Sequence, residues 1–295
     1  MAAVQTRHLI RGGAAVLLAT AIAVLAGGAA AQPAVRRIIS IVPATTEMLF
    51  AMGAGDRLVA VGSYDRFQPD VERLPKVGAL LDPNIEHMLT LRPDLVVMYG
   101  TQVELKQQLE RANIPYYAYN PGGLADITGT IRSLGLRVGA GPTAAALAGR
   151  VDQELADIRT RVAPHGRPST LLVFGRERRS LRNIDASGGI GFLHDMLESA
   201  GGADVLADMK RQSVMMSTEM VLARAPEIII ELRYSRDDDP GAEQDLQAWN
   251  RLGSVPAVRN HRVYLLRGEE FVVPGPRVGL ATERLARAIH PEAFK

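Results

Sequence analysis

A glutamate recurs at the same place in two related segments of the chain. Glu86 lies in NIEHMLTLRPDLVV, which begins at Asn84, and Glu219 lies in STEMVLARAPEIII, which begins at Ser217. Asn84 and Ser217 are residue types that cap helices, so both glutamates are predicted in a first helical turn, where the helix dipole favours a carboxylate. The alternative is that each glutamate only stabilises its own helix. Two matched carboxylates could instead contact basic residues on a two-fold symmetric partner.

Strands and helices alternate around both segments. Short β-branched runs such as RIISIVP (37–43), LVAVGS (58–63) and STLLVFG (169–175) predict buried strands, and amphipathic stretches between such runs predict helices. This order is typical of parallel sheets covered by helices on both faces. The sequence therefore predicts an α/β protein with two Rossmann-like lobes and parallel-type sheets.

Residues 142–163 differ from the rest, because they are rich in Ala, Leu, Glu and Arg and contain no β-like run. Pro142 suits the first turn of a helix. At 1.5 Å per residue the segment predicts a rod of about 33 Å between the lobes. The predicted organisation is an N-terminal lobe (32–140), an inter-lobe helix (141–167) and a C-terminal lobe (168–295).

The first 31 residues are typical of a secretory signal peptide. Arg7 and Arg11 precede an apolar run over 14–25, and small residues over 29–31 suit a signal peptidase. The alternative is an uncleaved membrane anchor, since the uncharged stretch 12–35 is long enough to span a bilayer. We expect cleavage and a periplasmic mature protein.

Charge and cysteine content exclude several kinds of site. The chain has 34 Lys and Arg against 32 Asp and Glu, and Arg7 and Arg11 in the leader account for the excess, so we expect no nucleic-acid partner. The chain has no cysteine. This absence excludes thiolate metal sites, cysteine nucleophiles and a lipid-modified cysteine.

Candidate ligand residues follow the predicted strands, because open α/β sheets bind ligands beyond the carboxyl ends of their strands. Flat apolar side chains there would suit a large macrocycle, although core packing is the alternative for each aromatic residue. In the loop GRERRSLRN (175–183), Arg182 is the candidate for meeting an anionic group, and a solvated charged loop is the alternative. The predicted ligand-binding residues are Tyr64, Phe67, Leu81, Tyr99, Arg182, Glu270 and Phe271.

Motifs for catalysis or metal binding are missing from the sequence. No G-x-G-x-x-G follows the first predicted strand, and no G-x-S-x-G occurs. The five histidines after the leader lack the spacing of a zinc site. We therefore expect no catalytic residue, no cofactor and no metal site, and a periplasmic α/β enzyme is the alternative.

The chain after the leader resembles the periplasmic substrate-binding proteins of ABC importers for cobalamin, haem and iron–siderophores. The resemblance depends on RIISIVPATTEMLFAMGAGDRLVAV, VGALLDPNIEHMLTLRPDLVV, STEMVLARAPEIII and VPAVRNHRVYLLRGEEFVVPGPR. It implies two Rossmann-like lobes bridged by one long helix, little hinge motion, and no enzymatic activity. We expect a monomer.

Within that family the chain looks most like the cobalamin-binding type. This resemblance implies that Glu86 and Glu219 dock onto arginines of a dimeric permease, and it supports Tyr64 and Tyr99 as ligand contacts. The chain departs from the pattern at Leu80 and near Ser213, where cobalamin binders commonly carry tryptophans, while Trp249 is expected in a peripheral helix. Haem or a ferric siderophore is the alternative ligand, since Tyr64 or Tyr99 could bind iron through phenolate.

Overall fold

The computed structural model describes residues 34–234 and 241–295. In the first lobe, four parallel strands form one sheet. The strand order is β2-β1-β3-β4, and every neighbouring pair is parallel. The strands are β1 (Ile38–Ser40), β2 (Leu58–Val61), β3 (Leu95–Tyr99) and β4 (Tyr116–Tyr119). The helices of this lobe are α1 (Pro43–Ala51), α2 (Ile85–Thr90), α3 (Val103–Arg111) and α4 (Leu124–Arg137).

Strand β3 shows why this sheet has helices on both faces. Leu95 and Val97 belong to one apolar cluster, whereas Val96 and Met98 belong to another. Successive side chains of a strand point to opposite faces, so both faces of β3 are buried. A continuous apolar run is what a doubly covered parallel strand requires.

The long helix α5 (Gly141–Val162) confirms the helix predicted over 142–163. Pro142 lies in its first turn, and its buried face packs into an apolar cluster that includes residues of both lobes, such as Ile38 of β1 and Leu285 near the C-terminus. Helix α5 also lies close to α4, because a Cβ added to Gly135 would meet the Ala144 Cβ at 2.1 Å. One core therefore continues from the first lobe through α5 into the second.

The second lobe contains a mixed sheet. Its order is β10-β9-β5-β6-β8, with β7 beside β5, and β6 and β8 run antiparallel at one edge. The strands are β5 (Ser169–Gly175), β6 (Ile184–Ser187), β7 (Ala203–Asp204), β8 (Ser213–Met216), β9 (Ile228–Arg233) and β10 (Val263–Arg267). The helices are α6 (Phe192–Ser199), α7 (Thr218–Arg224), α8 (Ala242–Leu246), α9 (Pro256–Arg259) and α10 (Val278–Ile289).

The predicted α/β class with two lobes is confirmed, but the antiparallel edge was not predicted. Strands β6 and β8 are four residues each, and β8 exposes every second side chain, so neither forms a long apolar run. The predicted signal peptide lies outside the described residues, and the predicted lobe boundaries stay predictions. No helix in the described ranges combines the length and apolarity needed to cross a membrane.

Candidate functional site

Three predicted ligand residues of the first lobe lie at the ends of its strands or in the loops that follow them. Tyr64 follows β2 and is 65% exposed, and Leu81 is 93% exposed. Tyr99 ends β3, is half-buried, and its ring centre lies 6.1 Å from that of Tyr119. These side chains present apolar surface at the carboxyl edge of the sheet, where the sequence predicted a ligand.

Two polar side chains fix the loops of this edge. Gln102 accepts a hydrogen bond from the Tyr99 amide at 2.9 Å and donates to the Leu80 carbonyl at 3.0 Å. Lys76 donates from Nζ to the Asp65 carbonyl at 2.9 Å and to the Val71 carbonyl at 3.1 Å. The exposed apolar residues therefore stand on loops that are tied to the sheet.

The second lobe contributes apolar residues that sequence reasoning missed. Met215 on β8 is 67% exposed, and Ile190 is 44% exposed. A cavity of about 310 Å³ opens between the lobes. Its walls include Pro121 and Gly122 of the first lobe and Phe174, Ile190, Phe192 and Val272 of the second. Strand β8 was not predicted from the sequence, so Met215 was not assigned to a strand.

Phe271 does not line the cleft. It is fully buried in the core that continues between the lobes, and the Arg284 guanidinium lies 4.8 Å from its ring centre. Glu270 is also buried, and its carboxylate pairs with Arg284 and, at 3.5 Å, with Arg277. Both were predicted as ligand contacts, and the structure corrects this: the first is a core residue, and the second belongs to an ion network.

Arg182 does not provide an open anion site either. Its side chain is 77% exposed and pairs with Glu177 of the same loop through contacts of 2.6 and 3.1 Å. The alternative of a solvated charged loop therefore describes it better than the predicted ligand contact.

A different arginine of the loop, Arg176, is buried. It pairs with Glu231 and lies 3.6 Å from an Asp245 carboxylate oxygen. Trp249 donates from Nε1 to Glu231 at 2.7 Å, and Arg233 reaches Asp245 at 2.6 Å. Trp249, expected in a peripheral helix, is fully buried. This group, the second-lobe ion cluster, holds the loop after β5 against the segments after β9.

Phe67 is half-buried because an ion pair between the lobes covers it. Glu47 of α1 contacts Arg277, which precedes α10, through two bonds of 2.6 and 2.9 Å. The Arg277 guanidinium lies 3.6 Å from the Phe67 ring centre. Burial raises the pKa of Glu47, with Arg277 opposing that shift. We call this contact the inter-lobe ion pair, and it leaves one face of Phe67 unavailable to a ligand.

Asp65 is a buried residue that was not among the predicted ligand contacts. It is 4% exposed, and its Oδ2 has no hydrogen-bond partner among residues 34–234 and 241–295. Burial raises its pKa to about 7, although the Thr46 hydroxyl and the Lys76 ammonium group favour the charged form. An aspartate between Tyr64 and Arg66 carries no sequence signal of this environment.

Glu86 and Glu219 lie where the doubled segment predicts them. Both are exposed in the first turns of α2 and α7. Asn84 accepts a hydrogen bond from the His87 amide at 3.0 Å, and Ser217 accepts one from the Met220 amide at 3.3 Å. The predicted capped helix starts are confirmed, and partner docking by the two glutamates stays a prediction.

Metal ligands do not converge within the described parts of the chain. No group of three or more His, Cys, Asp or Glu side chains there is arranged to hold a metal ion. His194, the histidine on α6, is instead paired with Asp204 at 2.8 Å.

Comparison with known proteins matches this two-lobed architecture. The sequence model of the family described as "Periplasmic binding protein" matches residues 38–270. The chain belongs to the periplasmic binding protein family. This periplasmic binding protein is 27% identical over 249 residues to a Vitamin B12-binding protein of Vibrio parahaemolyticus, covering 84% of this chain and 86% of the relative. It is 26% identical over 265 residues to the ABC transporter substrate-binding lipoprotein YvrC of Bacillus subtilis, covering 88% and 82%.

Solved structures of the same family share its fold. The periplasmic vitamin B12 binding protein BtuF of Vibrio cholerae superposes with a TM-score of 0.74 at 25% identity, covering 88% of this chain and 98% of the other. The periplasmic heme-binding protein RhuT of Roseiflexus gives a TM-score of 0.72 at 25% identity, covering 88% and 99%. The resemblance to substrate-binding proteins of ABC importers is therefore confirmed, and members of this family are transport proteins rather than enzymes.

Proposed function

We propose that this periplasmic binding protein captures a corrinoid, cobalamin, between its lobes and delivers it to the permease of an ABC importer. The observation that carries the proposal is the accessible apolar surface of both lobes. Tyr64, Leu81 and Tyr99 supply it in the first lobe, and Met215 and Ile190, which lines the cavity between the lobes, supply it in the second. Such surfaces suit the faces of a large ring.

The cleft offers fewer aromatic contacts than the cobalamin-binding type implies. Leu80, which stands where a tryptophan is common, is 41% exposed, and Met215 projects from the edge strand β8. Leucine and methionine still bury apolar area against a ring, and methionine adapts its shape to it. The ring would therefore be held by aliphatic packing as well as by stacking on tyrosine.

Haem is the second candidate, because the haem-binding protein RhuT shares the fold. Iron binding by Tyr99 would need its phenolate form. Burial raises the pKa of Tyr99, and the nearby Asp65 charge raises it further, so the free protein disfavours that form. Cobalamin needs no such ligand from the protein, since its cobalt already has its own axial ligands.

Calorimetry of protein lacking residues 1–31 tests the ligand. Cyanocobalamin, haemin and a ferric siderophore are titrated separately, and haemin is also followed by its Soret absorption. We expect saturable binding of cyanocobalamin. A shifted Soret band with haemin, together with no heat from cyanocobalamin, would make this a haem-binding protein.

The two exposed glutamates are the proposed contacts with the permease dimer. Each lies in the first turn of its helix and is open to solvent, and the Ser217 side chain lowers the pKa of Glu219. Both side chains are therefore open to an arginine of a partner. We propose that the protein docks as a monomer, in the periplasm, after removal of residues 1–31.

A double substitution tests docking separately from ligand binding. Glu86→Ala with Glu219→Ala is expected to weaken binding to the permease while ligand affinity is unchanged. The matched control is Glu104→Ala with Glu243→Ala, because these glutamates are also exposed in first turns, of α3 and α8. Equal docking by both double variants would contradict the proposal, and loss of ligand affinity would assign the first pair to the ligand site.

A further inference from the structure

The Asp65 carboxylate has an unused acceptor next to the proposed ligand cleft. Its Oδ2 is buried without a hydrogen-bond partner in the described parts of the chain. An ionised carboxylate accepts hydrogen bonds on both oxygens and cannot donate. Leaving one acceptor buried and unpaired is costly, so such a group needs a reason to remain.

A narrow cavity touches Asp65 and has contributions from both lobes. Its walls include Thr46, Glu47, Tyr64 and Phe67 of the first lobe and Tyr234 and Glu269 of the second. It has room for about one water-sized group. Two predicted ligand residues, Tyr64 and Phe67, therefore share this cavity with the unpaired carboxylate.

The nearby cations do not fill this acceptor. Lys76 is directed from Nζ to the Asp65 backbone carbonyl, and Arg277 makes two bonds to Glu47. Glu47 also adds negative charge near Asp65. The two carboxylates therefore favour a donor or a positive group beside Asp65 and oppose a second anion, while Lys76 and Arg66, the latter in the cavity wall, are the cations that act against them.

We propose that Asp65 is the acceptor of a ligand subsite that binds one peripheral N–H group, a carboxamide or an ammonium ion, and disfavours a peripheral carboxylate. The inference rests on the proposed function, because the subsite at Asp65 forms one end of the proposed ligand cleft. The N–H end of a terminal amide fits a space for one water-sized group and supplies the missing hydrogen bond. An edge carboxylate would bring like charge to a buried site.

This chemistry distinguishes the candidate macrocycles. The corrin ring of cobalamin carries neutral carboxamides on its edge, whereas haem carries two propionates that are ionised at neutral pH. The raised pKa of Asp65, about 7, means that the residue is mostly ionised at pH 8. The subsite thus selects for the amide-edged ring under mildly alkaline conditions.

The test compares cyanocobalamin with its isomeric monocarboxylic acids, in which one peripheral carboxamide is a carboxylate, by calorimetry at pH 8. Wild-type protein is expected to bind at least one isomer about tenfold more weakly than cyanocobalamin, because a like charge replaces a donor. Asp65→Asn should reduce that ratio to about threefold or less, because the asparagine amide can donate to the carboxylate. Asp70→Asn is the control, since Asp70 is exposed in the following 3₁₀ turn, and it should keep the wild-type ratio.

Each outcome decides the proposal. Equal affinities for all isomers, or an unchanged ratio in Asp65→Asn, would overturn the subsite while cobalamin binding stands. Binding of haemin without cyanocobalamin, or of none of these probes, would overturn the subsite and the proposed ligand together. Circular dichroism and thermal unfolding check that both variants fold, and Asp65→Ser replaces Asp65→Asn if the latter does not.

Discussion

The second-lobe ion cluster and the loop after β2 treat their buried carboxylates differently. In the second lobe, Glu231 receives Arg176 and Trp249, and Asp245 receives Arg233, so each buried charge is paired. In the first lobe, Asp65 keeps one oxygen without a partner. Pairing indicates that the second-lobe ion cluster is a structural element. The unpaired oxygen of Asp65 instead indicates a binding position for a hydrogen-bond donor of a ligand.

Among the tests of this difference, substitution of Arg176 should change the free energy of unfolding most. Arg176→Met leaves Glu231 and part of Asp245 buried without their main counter-charge, and we expect a loss of about 3–5 kcal/mol in the free energy of unfolding. Urea unfolding measures it. Arg132→Met serves as control, because Arg132 pairs with Asp152 at the surface and should cost about 1 kcal/mol or less. Equal losses in the two variants would mean that the cluster is not structural.

Asp65 should make stability depend on pH in the opposite sense to a paired carboxylate. Its pKa is about 7 in the folded protein and near 3.8 in an unfolded chain, so the folded state holds the proton more tightly. The stability that Asp65 contributes is therefore highest below about pH 4 and is lost as pH rises through about 7, by up to about 4 kcal/mol.

Asp65→Asn should remove this pH dependence of the free energy of unfolding. The variant is expected to be more stable than wild type at pH 8, and the difference should shrink as pH falls toward 4. Urea unfolding at several pH values measures that difference, in which other titrating groups cancel. A constant difference between pH 4 and 8 would show that Asp65 is ionised throughout.

The inter-lobe ion pair is expected to have an intermediate effect. Glu47→Gln keeps the shape of the side chain but removes its charge, and Arg277 retains Glu270 at 3.5 Å. We expect a loss of about 1–3 kcal/mol and faster amide hydrogen exchange in α1 and in the turn Glu269–Phe271. Glu283→Gln, in the exposed pair with Arg287, is the control. Exchange confined to one lobe would mean that the contact does not join them.

Arg182 should give the smallest effect. Arg182→Ala removes an exposed ion pair within one loop, so we expect a stability change of less than about 1 kcal/mol. Ligand affinity measured by calorimetry should also be unchanged. A loss of affinity would restore Arg182 as the anion contact that the sequence predicted.

The general fold could be predicted because its signals are local. The apolar runs of β1 to β3, the helix over 141–162 and the caps at Asn84 and Ser217 each follow from neighbouring residues. The exposed loop positions of Tyr64 and Leu81 follow from the rule on strand ends.

The rest of the site depends on contacts distant in sequence. Phe271 is buried because Arg284 and the shared core surround it, and Phe67 is covered by an arginine more than 200 residues away. Whether a charged side chain such as Arg176 is buried depends on partners that only the folded chain assembles. The spacing of residues along the sequence does not predict such long-range contacts.

The core that runs along α5 has a consequence for how the molecule comes apart. Because that core includes side chains of both lobes, neither lobe can lose its share without exposing apolar surface of the other. We expect one cooperative unfolding transition, followed identically by far-ultraviolet circular dichroism and by tyrosine and tryptophan fluorescence. Unfolding would then remove the proposed ligand cleft and the proposed docking surface in the same step.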